Sequence, residues 1–173
     1  MEIDKEKYFT IAQFGDLNKL KDKIKKSNDN LDIIKNLIDK KNMSILEKSL
    51  SFRKFDIAKF LLENGVNINI VSDEGYNELH YIASNIASEG ALDVAKILLN
   101  KEVDINSKDK LGNSPLWYLC NEAMKSDNSD IYAFIEECFK WEPDIITKNN
   151  FGYSIKDIII NRENKRLLVL VGG

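Results

Sequence analysis

Two unrelated sequence patterns recur along this chain at one spacing, which confines it to a tandem array of similar units. The segment Phe55-Asp-Ile-Ala-Lys-Phe-Leu-Leu-Glu-Asn-Gly-Val-Asn-Ile-Asn69 returns 37 residues later as Leu92-Asp-Val-Ala-Lys-Ile-Leu-Leu-Asn-Lys-Glu-Val-Asp-Ile-Asn106. The segment Gly75-Tyr-Asn-Glu-Leu-His80 returns, again after 37 residues, as Gly112-Asn-Ser-Pro-Leu-Trp117. Weaker copies of the first pattern lie at Asp16 to Ile24 and, 40 residues after the second copy, at Phe134 to Ile145. The second pattern has an earlier copy, Asn42-Met-Ser-Ile-Leu46, and a later one, Gly152-Tyr-Ser-Ile155. A period of this size is the mark of stacked supersecondary units, none of which buries its apolar face alone.

Each unit reads as turn, short helix, tight turn, longer helix, loop. Ile57, Phe60 and Leu61, and again Val94, Ile97 and Leu98, stand at i, i+3, i+4, the spacing of one helical face. Ser114-Pro115 places a capping hydroxyl before a proline at the first helical position, where its missing N–H costs nothing. Ser44, Asn77 and Ser154 hold the same cap site, and Gly65 stands where a helix ends on a left-handed residue.

These residues resemble the ankyrin-repeat family, most clearly in Gly112-Asn-Ser-Pro-Leu-Trp117, Glu78-Leu-His80 and the two Leu-Leu…Asp/Asn-Ile-Asn endings. The resemblance covers about residues 5–170. It implies an all-α solenoid with short hairpin fingers, forming a single domain over 1–173. Three full units are expected at about 42–72, 73–109 and 110–149, between an amino-terminal cap at about 5–41 and a carboxy-terminal cap at about 150–173. The family's Thr-Pro-Leu-His is intact nowhere. Extra residues fall near Ile86 to Gly90 and, as a polar loop, at Lys125 to Asp130. The apolar run Leu31 to Ile38 is expected to add a helical turn to the first cap.

Little in the chain proposes chemistry. His80 is the only histidine and takes the family's structural position, where it is expected to bond within and between units. Cys120 and Cys138 lack metal spacing and read as buried thiols. The glycines fall mostly at repeat turns, so no phosphate loop is present. The carboxylates read as solvated groups on helix surfaces. No enzyme, cofactor or metal is expected. A net charge of −3 weakens a nucleic-acid reading. The absence of a long apolar run argues against a membrane span, and the start shows no signal-peptide core. A cytoplasmic protein, monomeric when free, is expected. Abundant Lys, Ile and Asn suggest an AT-rich genome, bacterial or viral.

What the resemblance implies about function is protein binding through a concave face built from fingers and short helices. Carried onto this sequence, the fingers offer Asp73, Glu74, Tyr76, Lys110, Leu111, Asn113, Phe151 and Tyr153. The short helices offer a ladder of Lys48, Tyr81 and Tyr118, with Asn85, Asn121 and Glu122 at their edge. Trp117 replaces the structural histidine and reads as packed between units. Leu111 and Phe151 are apolar at tip positions that solvent would otherwise claim. Three uses are compatible with such a face. The chain could be a general adaptor, an immunity protein neutralising a bacterial toxin, or an effector docking on a host protein.

Overall fold

The computed structural model describes residues 3–172 and contains helices, turns and one isolated bridge between Ile38 and Ser44 among them. The helices come in antiparallel pairs: α1 (Lys5–Phe14) with α2 (Leu17–Ser27), α4 (Ile45–Ser51) with α5 (Phe55–Glu63), α6 (Glu78–Ala83) with α7 (Ala91–Asn100), and α8 (Pro115–Ala123) with α9 (Ser129–Phe139). A one-turn helix, α3 (Leu31–Ile34), interrupts the first connection, and α10 (Ile155–Asn161) with the short α11 (Lys165–Leu168) closes the array. The first helices stack in one row, α1 on α4 on α6 on α8 on α10. The second helices α2, α5, α7 and α9 stack in another. The core is the seam between the rows, which is the all-α solenoid that the repeat implies.

The 37-residue shift holds at the level of packing. Ile57, Ala58, Leu61 and Leu62 of α5 are buried, and so are Val94, Ala95, Leu98 and Leu99 of α7. The buried stripe is rotated slightly from the expected one. Phe60 and Ile97 sit at its half-exposed edge, and the small Ala58 and Ala95 are fully buried within it. The ring of Phe60 instead supports the ammonium of Lys21, 5.3 Å from its centroid.

Caps fix where the short helices start. Ser44 and Ser154 close reciprocal capping boxes with Glu47 and Asp157, and Asn77 closes one with His80. Ser114 occupies the same position but makes no side-chain cap bond. Its partner position holds Trp117, whose indole has no acceptor to return. Other expectations change in detail. The run Leu31 to Ile38 gives a helical turn only to Ile34; Ile34 and Leu37 are buried, while Ile33 and Ile38 are exposed. The insertion at Lys125 to Asp130 is a loop only in part, because Asn128 caps α9 and the helix begins at Ser129. Cys120 and Cys138 are free, buried thiols, both pushed up by burial.

The expectation of solvated carboxylates fails at three positions: Asp109 is buried under the turn it folds at 109–113, and two glutamates lie deeper still. Glu47 and Glu78 are wholly buried at the starts of α4 and α6, helices that pack on each other. One oxygen of Glu47 accepts the Ser44 N–H at 2.6 Å, and one of Glu78 accepts the Asn69 N–H at 3.1 Å. The second oxygen of each has no hydrogen-bond partner among the described residues. Burial pushes the Glu47 carboxyl up to about 8, against the pull of its Ser44 bond and with the push of the Glu78 charge. Burial likewise pushes Glu78 up to about 7. Both groups are caught because the N-terminal turn of a short helix lies inside the stack, not on its surface.

Two outcomes follow. Leu98→Ala removes a fully buried side chain and should cost roughly 2–5 kcal/mol in chemical denaturation. An unchanged midpoint would place Leu98 outside the core. For the carboxyls, the folded chain holds protons that the unfolded chain releases above its ordinary value of 4.5. Stability contributed by these groups therefore falls as pH rises from about 5 to about 8. Glu47→Gln should raise stability near pH 8 by on the order of 1–3 kcal/mol and flatten that slope. A melting series across the window reads this directly.

Candidate functional site

Four fingers project from the seam, and each is folded by a side chain at its base. The carboxylate of Asp39 accepts the N–H groups of Lys41 and Met43. That of Asp109 accepts Leu111 and Asn113, and the amide oxygen of Asn149 accepts Phe151 and Tyr153. Ser72 does the same for Tyr76 through its hydroxyl. The fingers are also joined in sequence by main-chain bonds: Asp73 N–H to Lys41 O at 2.9 Å, Lys110 N–H to Glu74 O at 3.1 Å, and Asn150 N–H to Leu111 O at 3.0 Å. This close approach explains the recurring glycine. Gly75 has φ +83°, and a Cβ there would stand 2.8 Å from Asp109 Cα. Gly112 is held the same way against Asn149.

His80 is buried and joins two units, as the sequence implied. Its Nδ1 accepts the Asn77 N–H at 3.1 Å, and its Nε2 lies 3.2 Å from the Asn113 carbonyl, to which it donates. Burial lowers its pKa, so the imidazole is held neutral. Tyr76 stacks on it at 5.1 Å with an interplanar angle of 9°. Tyr81 and Tyr118 meet Tyr76 edge-on at 5.6 and 5.9 Å.

This aromatic cluster changes the standing of the expected ladder. The Tyr118 hydroxyl donates to Asp109 Oδ2 and lies 3.2 Å from that of Tyr76, so it braces a finger base. Burial pushes the Tyr81 phenol up to about 12. Lys48 is paired with Asp39 at 3.0 Å, both side chains mostly covered. Asn113 is buried and accepts from the Asn149 amide at 2.8 Å, so it supports the fingers from within. Asn85 and Asn121 are half-buried, donating to the carbonyls of Tyr81 and Trp117. Trp117 packs half-buried against the core. Glu122 pairs locally with Lys125.

The remaining positions face solvent. Asp73 accepts from the Asn42 amide at 2.6 Å, and Glu74 and Lys110 are exposed at their tips. Leu111 is 45% exposed, Phe151 65% and Tyr153 51%. Leu111 and Phe151 lie on adjacent fingers that share a main-chain bond, so two large apolar groups are held at fixed separation.

A sizeable hollow of this face lies elsewhere, toward the amino end. There α1, the first finger and α4 enclose an open trough of about 710 Å3. Lys5, Phe9, Ile38, Lys40, Lys41, Met43, Phe52 and Tyr81 are among its lining residues. Of the residues singled out from the sequence, only Lys48 and Tyr81 line it. The rest was hidden because α1 carries no copy of the repeat and the first finger only the partial one that begins at Asn42. The available signal was the apolar pair Ile38 and Phe52 beside a run of lysines. No group of His, Cys, Asp and Glu that could hold a metal is found among the described residues, and no helix there is long and apolar enough to cross a membrane.

A family model described as ankyrin repeats (3 copies) matches residues 22–109 and, overlapping them, 49–135. A search of curated proteins returns no match to the chain.

Gly75→Ala should weaken the finger array. A side chain at φ +83° is strained, and here it also meets backbone. The expected loss is about 1–3 kcal/mol, read by thermal or chemical unfolding. An alanine variant as stable as the parent would show that the second and third fingers are not in contact.

Proposed function

The chain belongs to the ankyrin-repeat family, and on that premise we propose that it binds a partner protein across its fingers and short helices. Ankyrin repeats are generic protein–protein interaction modules and are typically not enzymes. The observation that carries the choice of face is the pair Leu111 and Phe151. Both are exposed, both are large and apolar, and both are fixed on fingers bonded to each other. Rigid apolar groups at set spacing bind at low entropic cost, because little is left to order on association. Glu74, Lys110 and Tyr153 are exposed on the same or adjoining fingers and, with Asp73 further along the row, supply polar groups to this face. Neutralising a toxin and docking on a host protein are two uses of this same face, and they differ in what lies across it.

The test compares the parent chain with Leu111→Ala/Phe151→Ala for binding to the protein it captures from its own cells. Neither side chain contributes to the core, so the melting curve should be unchanged. Affinity should fall by about tenfold or more, since truncating a central apolar contact costs on the order of 1–2 kcal/mol. Retained affinity in a folded double variant would assign binding to another face. Tyr118 is left out of the variant because its hydroxyl braces Asp109.

A further inference from the structure

Building on the binding-face reading above, we propose that the amino-terminal trough receives an acidic segment of the partner protein that carries apolar anchors. Three observations on different scales agree on this chemistry. The first is the trough's lining. Of its four lysines, Lys48 is neutralised by Asp39 at 3.0 Å. Lys5, Lys40 and Lys41 have no ion-pair partner among the described residues, and Glu6 is the only other carboxylate in the lining. The rim is therefore positive.

The second is what lies between the lysines. Ile38 is 47% exposed and Phe52 37%. Phe14, 67% exposed, meets Phe52 edge-on at 5.9 Å and extends the apolar strip beyond the trough. Contiguous apolar surface rimmed by charge marks an interaction site. It also favours a peptide over a nucleic acid, because the balance of positive charge is small and nothing is arranged along a phosphate track.

The third is the charge of the whole chain. Residues 1–54 carry 13 Lys and Arg against nine Asp and Glu, a balance of +4. Residues 55–173 carry 12 against 19, a balance of −7. A smaller hollow of about 330 Å3 between α1 and α2 is lined by four lysines and one aspartate and extends the positive end. An acidic ligand is repelled along most of the solenoid and attracted at one end. Such polarity sets orientation and association rate, and it is sensitive to salt.

The experiment pans random short peptides on the immobilised full chain, then measures the enriched peptides on Lys40→Glu/Lys41→Glu. Both lysines are exposed at a finger tip, and a control, Lys59→Glu/Lys96→Glu, places the same charge change on exposed positions of α5 and α7 in the other row. Enriched peptides should combine Asp or Glu with Leu, Ile, Phe or Trp. Their affinity should fall by about tenfold or more in the trough variant, stay unchanged in the control, and weaken as salt is raised. Basic or neutral winners, or equal binding to the trough variant, would overturn the proposal. So would tighter binding of mixed-sequence single-stranded DNA, or self-association that the trough variant abolishes. If natural-partner binding depends on Leu111 and Phe151 but not on Lys40 and Lys41, the binding face stands and the trough assignment falls. If neither pair matters, both fall.

Discussion

The stacking of one finger on the next is the constraint on which the rest of this molecule depends. No helix pair here is large enough to bury its own apolar stripe, so each unit is stable only when its neighbours are in register. Register is set by a few directional contacts. A side chain at the base of each finger folds the main chain, and one backbone bond then links each finger to the next. Where the fingers come closest the chain has glycine, at 75 and 112, because a Cβ would meet the backbone of the following finger. His80 adds a second bond between units at the depth of the core. Because these links are polar and directional, a shift of a unit by one residue would leave several buried donors and acceptors unpaired, which is far costlier than an imperfect apolar contact.

Burying this polar scaffold has consequences for electrostatics. The same first turns that place Ser44 and Asn77 as caps draw Glu47 and Glu78 into the stack. Each carboxyl satisfies one backbone donor and leaves its other oxygen without a partner. A protonated carboxyl is far cheaper to bury than a carboxylate, so the fold couples to proton uptake. At Asp157 the equivalent box group lies near the surface of the last unit, and its pKa is lowered by bonds from Ser154 instead. The contrast between Glu47 and Asp157 shows that depth in the stack, not the capping motif, decides the sign of the shift.

The periodic features of the chain made the fold legible. The two patterns recurring after 37 residues locate α5, α7 and the starts of α6 and α8, and the His80 contact across units follows from its position in that repeat. Less legible was anything set by a neighbour at right angles to the chain. Whether Tyr118 presents its hydroxyl to a partner or to Asp109 depends on where the finger base lands, and no spacing encodes that. Asn113 reads as a finger tip but is buried, because the following finger closes over it through Asn149. The trough was missed for a related reason. It is walled by α1 and the first finger, where the repeat has decayed and residue-by-residue correspondence fails.

Once the scaffold has taken the groups it needs, what remains at the surface is informative. The tyrosines at 76, 81 and 118 are bound to each other, to His80 or to Asp109, and Lys48 to Asp39. Leu111 and Phe151 at one end, and Ile38 and Phe52 among unpaired lysines at the other, have no such internal task. Leaving them exposed costs the free chain solvation that a polar residue would recover at no loss of packing. The two sets also differ in kind. The finger tips are apolar with mixed charges around them, whereas the trough is apolar with a positive rim. A partner reaching both would have to present an acidic end and an uncharged one, which gives this face a direction as well as a shape.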